Sequence, residues 1–577
     1  MPMPIQMRVV DAQLMREIEK RASDNYGLTE SLIIENVGFE GSLLIDKIIK
    51  KHFKINQNIT VAFVVGKGNN GADGMSIARH LLNNHGDNYR NNLFVYTLYP
   101  LEECSSELQR TLKMAASYGV KIRDELSHLK SNSNIETKET KIVVIDAILG
   151  TGVRHPLPPL LENAFKIINN CSDLTISVDI PSGVHGDSGK VVSDSVNAAV
   201  RANYTLAIGT YKVGHFFSQG LKYKGKLLRL RAGFADELFY VNKESDKDSN
   251  KDSNKDSEQL VIEKVAEQEI KKYIKQNLIL RNQYAHKNDY GHLLIIGGGR
   301  GLSGAAHLAA DAASKVGTGL VTIATYKENF LELNQHKSKN IMIREIGSIC
   351  ENNLDLDHDE INKKFSSVII GPGLGSELKN KQLNKKLLEE LILNFQGPLI
   401  IDADAINLLS FNDQTDMKLI KSRFDRGWIT LMTPHLGEFA RFIGVDKGVM
   451  ENDLLAFFIN TLERINFFVL VKSSALYLLG NKNISIYHSA NSGLAKAGTG
   501  DVLVGILGGI CAQKFNFREG LSDPSSSVKI ILSGVYIHSL AAKFAARTFS
   551  ENSLSPLDII NNLSNVFLKL SDARQCI

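Results

Sequence analysis

Hydrophobic and polar positions along this chain fall into short blocks that switch between two periods. Thr60–Val65, Leu93–Tyr99, Ile142–Ile145 and Thr175–Val178 are short, nearly unbroken apolar runs, the pattern of strands covered on both faces. Between them, Leu14–Arg21, Ser31–Lys50, Gly74–Asn83 and Glu107–Tyr118 read as helices. That alternation predicts a mostly parallel sheet with helices on both faces. A second series follows, with strands at His292–Ile296, Leu320–Ala324, Ser367–Ile370, Leu399–Ile401, Trp428–Met432 and Phe468–Val471, again separated by helices. Two α/β domains are therefore expected, which suits a length of 577 residues.

The boundary lies where the pattern vanishes. KDSN occurs at 247–250 and again at 251–254, followed by KDS at 255–257. Such a tract has no apolar face to bury, so ordering it would cost entropy without return. The expected division is residues 1–240, a low-complexity linker over 241–260, and residues 261–577.

Composition narrows the class. Hydrophobic residues make up 43% and charged residues 23%, an ordinary globular balance. A net charge of +4, without a basic stripe interleaved with aromatics, argues against a nucleic-acid partner. Cys104, Cys171, Cys350, Cys511 and Cys576 are scattered and form no CxxC pair, which suits a reducing compartment. Arg8 and Asp11 interrupt any signal core, and Val502–Ala512 is too short to span a bilayer. A cytoplasmic protein with no membrane partner is expected.

In the first domain, strand Thr60–Val65 runs into Gly66-Lys67-Gly68-Asn69-Asn70-Gly71-Ala72-Asp73-Gly74 and then a helix. Glycines admit close approach of a ligand, and a helix start offers N–H groups to anionic oxygen. A purely structural turn has the same look, but two amides and a carboxylate add chemistry that no turn requires. Asp146 opens DAILGTG and Asp179 opens DIPSGVHGDSG at two further strand ends. Either aspartate alone could be a cap. Together, three polar loops at the carboxyl edge of a sheet predict one ligand crevice.

GKGNNGADG, DAILGTG and DIPSGVHGDSG, in this order, resemble the NAD(P)H-hydrate epimerase family over residues 8–235. The resemblance implies a Rossmann-like three-layer fold and a potassium ion held by Asn70, Asp146 and Ser182. It also implies that Asn69, Asn70, Gly71, Ala72 and Asp73, with Gly150, Thr151, Gly152, Val153, Arg154, His155 and Pro156, hold the hydrated dinucleotide. Asp179 would contact its nicotinamide end as the acid/base for inversion. Members of this family also serve as non-catalytic modules, so a binding role for this half stays open.

In the second domain, strand His292–Ile296 leads into GGGRGLSGAA, a loop that is weak evidence alone. The ending Gly498-Thr499-Gly500-Asp501 before an apolar helix is stronger. It places backbone N–H groups at a helix start beside a carboxylate that can take a hydroxyl proton, the two parts phosphoryl transfer needs. GTGD resembles the ribokinase-like superfamily. With IIGPGLG, LIIDADAINLL, LMTPHLGEFARFIG and VLVKSSALYLLG, the set resembles ADP-dependent NAD(P)H-hydrate dehydratases. That resemblance implies Ala305, Gly373 and His435 at the hydrated substrate. It also implies Lys472, Ser473, Ser474, Ala475, Leu476 and Gly500 at the adenine nucleotide, with Asp501 as base. Expected ligands are NADHX, NADPHX, ADP as phosphoryl donor, Mg2+ with the nucleotide, and K+; a homo-oligomer is expected. A small-molecule kinase is the competing reading, since GTGD is shared across the superfamily.

Overall fold

The computed structural model describes residues 6–54, 57–126, 129, 140–153, 156–191, 198–239, 260–278, 281–346, 350–351, 355–375, 378–514 and 524–572. One compact unit is drawn from residues 7–255 and 451–455, and the other from residues 1–6, 256–450 and 456–577. The expected linker lies outside the described residues except at its last position.

The front unit contains β1 (Ile59–Val65), β2 (Leu93–Thr97), β3 (Lys121–Arg123), β4 (Lys141–Ala147), β5 (Leu174–Val178), β6 (Tyr204–Ile208) and β7 (Lys226–Leu230). They lie in the order β3-β2-β1-β4-β5-β6-β7, all parallel. Successive side chains of a strand point to opposite faces, so each strand feeds two cores. Val61, Phe63, Val65, Val143 and Ile145 join one core with α1 (Ala12–Tyr26), α2 (Glu30–His52), α3 (Asn69–Tyr89) and α4 (Ser106–Ser117). Ala62, Val64, Ile142 and Val144 join the other with α5 (Pro159–Cys171). This is the expected Rossmann-like three-layer class. It also explains why the strands read as unbroken apolar runs. Strand order reverses between β1 and β4, which opens a crevice at their carboxyl ends.

Some boundaries differ from the sequence expectation. Helix α3 begins at Asn69 rather than Gly74, behind an extended Gly68 that gives no side-chain cap. Asn69 to Asp73 therefore form a first helical turn instead of a loop. β3, β6 and β7 were not anticipated. β6 is a five-residue stretch, Tyr-Thr-Leu-Ala-Ile, buried throughout and too short for its period to declare itself.

In the rear unit β8 (Val261–Val265), β9 (His292–Ile296), β10 (Leu320–Thr325), β11 (Met342–Glu345), β12 (Ser367–Ile370), β13 (Leu399–Ile401), β14 (Thr430–Met432), β15 (Phe468–Lys472), β16 (Leu476–Gly480) and β17 (Asn483–Tyr487) run in the order β8-β17-β16-β15-β14-β13-β12-β9-β10-β11. The α/β class holds here too. One correction concerns β16, which is antiparallel to both β15 and β17. A short turn after Lys472 joins β15 to β16, and so tight a connection permits only a hairpin. The order reverses between β12 and β9.

Helices α6 (Glu267–Asn277), α7 (Ser303–Lys315), α11 (Thr499–Lys514), α12 (Pro524–Ser553) and α13 (Pro556–Asp572) share a core with Leu293, Ile295, Ile369 and Leu470 of the sheet. The apolar, glycine-dotted helix α11 is buried on every side, and a methyl group at Gly505 would meet the Ala309 carbonyl at 2.1 Å. Only glycine lets α11 and α7 approach this closely. Among the described residues, helix α12 rather than Val502–Ala512 is long and apolar enough to cross a bilayer, but 72% of its most apolar stretch is buried inside the protein, as in a core helix.

Between α8 (Leu378–Asn394) and α9 (Gln414–Asp425), the guanidinium of Arg423 is fully buried. Its Nη1 donates to the carbonyls of Leu391 (3.2 Å) and Phe395, and its Nη2 to those of Gly397 (2.6 Å) and Ile429 (3.1 Å). The side chain thus satisfies carbonyls that the end of α8 leaves open. Arg423→Ala is expected to cost about 3 kcal/mol or more, because those carbonyls would stay buried and unpaired. Urea denaturation followed by fluorescence of Trp428, the chain's one tryptophan, measures the loss directly. Its ring lies 5.5 Å from the Arg423 guanidinium.

Candidate active sites

Three loops of the front unit meet at the crevice beside β1 and β4. Asn70, in the first turn of α3, is buried, and neither its Oδ1 nor its Nδ2 has a hydrogen-bond partner among the described residues. A methyl group at Gly150 would touch Asn70 Cβ at 3.5 Å, so the loop after β4 abuts it. Thr151 in turn packs against Gly186 of the loop after β5. At the end of β4, Asp146 is fully buried. Its Oδ1 accepts from Ser182 Oγ (2.6 Å), and its Oδ2 accepts from Ser177 Oγ (2.7 Å) and the Ser182 N–H (3.0 Å). Burial pushes this carboxyl up, against the pull of those bonds.

The predicted dinucleotide residues do not all reach the crevice. Asn69 is exposed and donates to Glu30. Ala72 and Val153 point into the two cores, so only their backbones remain for a ligand. Gly71 has a packing reason to be glycine, since a methyl there would lie 2.5 Å from the Gly66 carbonyl. Gly152 and Pro156 are exposed, while Arg154 and His155 lie outside the described residues. Asp73 is buried; burial first, then the nearby Asp179 carboxylate, raises its carboxyl well above the ordinary value, with Lys212 opposing.

Asp179 follows β5 with φ at +63°, a conformation costly for any residue with a side chain. Four bonds hold it there. Its N–H donates to Leu206 O (2.8 Å), its carbonyl accepts from His215 Nε2 (2.9 Å), and its Oδ1 accepts from the Ile208 N–H (3.1 Å) and from Lys212 Nζ. The Lys212 ammonium is buried and also donates to Ile208 O (2.6 Å) and Thr210 O (3.3 Å). His215 accepts the Lys212 N–H at Nδ1 (3.0 Å), so its one proton sits on Nε2. Burial, aided by Lys212, drives its pKa down to about 3, and the ring is neutral.

Lys212 and His215 escape the sequence reading. They lie in Gly-Thr-Tyr-Lys-Val-Gly-His immediately after the unanticipated β6. Recognising that strand would have placed a fourth polar loop on the same edge.

In the rear unit the loops after β9 and β12 are zipped together. The N–H of Gly298 donates to Pro372 O (3.0 Å) and that of Gly299 to Gly373 O, so the GGGRG loop acts as a tight connection. Buried Gly373 packs against Leu302, and half-buried Ala305 stands in the first turn of α7. His435 caps α10 (Leu436–Ile443), with Nδ1 accepting from the N–H groups of Gly437 (3.0 Å) and Glu438 (3.2 Å). The ring is largely exposed beside Lys472, whose N–H donates to Pro434 O (2.7 Å). Ser473, Ser474 and Ala475 form the turn between β15 and β16, which Leu476 begins; Ala475 points inward.

The decisive geometry gathers at the carboxyl ends of β13, β14 and β15. Lys472 Nζ donates to Asp402 Oδ1 (2.8 Å), which also accepts from Thr433 Oγ1 (2.6 Å). A methyl group at Gly500 would lie 3.4 Å from that same Nζ, so the first turn of α11 stands over the ammonium. Burial works to lower the Lys472 pKa, but Asp402, Glu438 and Asp501 together carry it upward. Asp501 is pushed up to about 6, by burial first and then by Asp402, with Lys472 opposing. Asp402, Thr433 and Glu438 lie inside LIIDADAINLL and LMTPHLGEF, motifs visible in the sequence without a role for these three residues.

A family model described as NAD(P)H-hydrate dehydratase matches residues 293–565, and one described as YjeF-related protein N-terminus matches residues 33–214. The chain is 30% identical to the bifunctional NAD(P)H-hydrate repair enzyme Nnr of Coxiella burnetii, over 95% of this chain and 97% of that one. This chain belongs to the bifunctional NAD(P)H-hydrate repair enzyme family. Its counterpart in Moorella thermoacetica is 28% identical, over 99% of this chain and 98% of that one. Among solved structures, a ribokinase-like superfamily protein from Enterococcus faecalis covers 54% of this chain and 96% of its own, at 23% identity and a TM-score of 0.42. The two family models thus fall one on each half of the chain, residues 33–214 and residues 293–565.

Proposed function

We propose that residues 1–240 interconvert the R and S forms of NADHX and NADPHX, and that residues 261–577 dehydrate the S form at the expense of ADP, releasing AMP and phosphate. One observation carries this reading: each sheet brings a lysine–aspartate pair, buried in the front unit and half-buried at the lysine in the rear, to its carboxyl edge, where ligands gather in open α/β sheets. In the rear unit the substrate hydroxyl gives its proton to Asp501 as its oxygen attacks the terminal phosphorus of ADP and the bond to AMP breaks. Lys472 and the start of α11 stabilise the transferring charge. The C–O bond then breaks with phosphate as leaving group, a proton leaves the neighbouring carbon, and the ring double bond returns.

In the front unit Asp179 serves as acid/base at the hydrated carbon, and Asn70, Thr151 and the loop backbones hold the dinucleotide. Asn70, Asp146 and Ser182 fit a potassium ion, since the buried Asn70 Oδ1 has no hydrogen-bond partner among the described residues and hard oxygens suit such a cation. The ion would supply a fixed positive charge beside the substrate loop. Potassium chloride is expected to raise the melting temperature of the protein more than lithium chloride of equal strength, and Asn70→Ala to erase that difference. Mg2+ is expected to arrive with the nucleotide phosphates. The scattered cysteines fit a cytoplasmic setting.

The test is recovery of reduced-nicotinamide absorbance from purified hydrate epimers with ADP, with ATP or without nucleotide. Complete recovery with ADP and none without nucleotide is expected. No recovery, or a stable phosphorylated product, overturns the reading, the latter in favour of a small-molecule kinase.

A further inference from the structure

A buried ion pair is an expensive way to hold two loops together. Desolvating an ammonium and a carboxylate costs more than packing two apolar side chains of the same size, so such a pair points to a need for charge. Lys212 satisfies its three protons on Asp179 Oδ1, Ile208 O and Thr210 O, a complete set that leaves it no hydrogen to offer a substrate. It therefore acts through Asp179. Both side-chain bonds to Asp179 end on Oδ1; among the described residues none ends on Oδ2. The left-handed backbone at +63° aims this carboxylate, and His215, neutral and locked in one tautomer, pins the carbonyl from behind.

Resting on the epimerase reading above, we propose that Lys212 is the positioning residue of the front site, fixing Asp179 by Oδ1 so that Oδ2 alone exchanges the proton of the substrate hydroxyl. The hydroxyl of a hydrated nicotinamide sits on the carbon next to the ring nitrogen. Its proton passes to Asp179 Oδ2 as a carbonyl forms and the carbon–nitrogen bond breaks. The electron pair goes to the ring nitrogen and its conjugated amide. The freed carbonyl turns, the nitrogen re-adds from the other face, and the oxygen recovers its proton from Asp179. No external reactant is consumed. Asp179 changes charge twice in the cycle, and a permanent ammonium held at one oxygen keeps its orientation through both states. Asp73 and Glu19, the other carboxyls that feel this pair, are both raised above the ordinary value, and as acids neither can stand in for the ammonium.

The experiment uses the full chain, with the R epimer supplied in excess and dehydration by the rear unit as the readout. Lys212→Ala is expected to lower kcat for epimerisation about 100-fold or more with little change in KM, and added ethylammonium to restore at least about tenfold of it. Tetramethylammonium, which has no N–H to donate, should restore nothing. Lys212→Arg should keep more of kcat than Lys212→Ala does. Parental kcat in Lys212→Ala overturns the proposal, as does a folded Lys212→Arg protein no faster than Lys212→Ala without amine rescue. Should Lys212→Ala fail to fold, Lys212→Arg is judged against the spontaneous rate: epimerisation above it supports the proposal, and a folded Lys212→Arg protein no faster than that rate overturns it. If the unaltered chain does not speed consumption of the R epimer beyond its spontaneous rate, the epimerase reading itself has failed, a different result from any of these.

Discussion

Asp501→Asn is expected to lower the dehydration rate about 10²- to 10⁴-fold, the span associated with losing a positioned general base, or about 3–5 kcal/mol of barrier. The amide keeps the size and shape of the carboxyl, so α11 and its neighbours should remain folded. The same residue predicts the pH dependence. Its pKa is pushed up to about 6, and only the ionised form accepts a proton. As pH falls through that value the base form is lost, so kcat/KM should drop on the acid side of about 6 and level off above about 7. Asp501→Asn should lack that acid limb. A variant that dehydrates the S epimer at the parental rate, with the limb still present, would remove Asp501 from the mechanism.

Asp179→Asn is the second large effect. Asparagine accepts the left-handed backbone, so the chain conformation at +63° survives. The proton-accepting oxygen does not. Epimerisation should fall about 10²- to 10⁴-fold while dehydration is untouched. Offered a mixture of epimers and ADP, this variant should recover absorbance in two phases: a fast one that consumes the S form, then a slow one set by spontaneous interconversion. A single fast phase identical to the parent would show that Asp179 plays no part in the chemistry.

Much of this arrangement is legible in the sequence itself. The apolar runs at Thr60–Val65 and Ser367–Ile370 read as strands covered on both faces, and the polar loops behind them as lying at a sheet edge. Asp146, Asp179 and Asp501 stand out in the sequence because each sits in a glycine-bearing polar loop at a predicted strand end or helix start. The proposed potassium site rests on resemblance, to which the structure adds that Asn70 is buried without a hydrogen-bond partner among the described residues.

Local pattern determined the element types, the two-domain plan and the loops that bear chemistry, because side-chain period and turn residues act over a few positions. Tertiary structure alone decided what those loops meet. Lys212 is far from Asp179 in the chain, and Asp402 is far from both Lys472 and Gly500, so neither pairing leaves a short-range mark. It likewise consigned Ala72 and Val153 to the cores and gave the GGGRG loop a packing duty, since burial depends on which surfaces are brought together. Charges meet across a sheet edge only after strands separated by many residues have found their order.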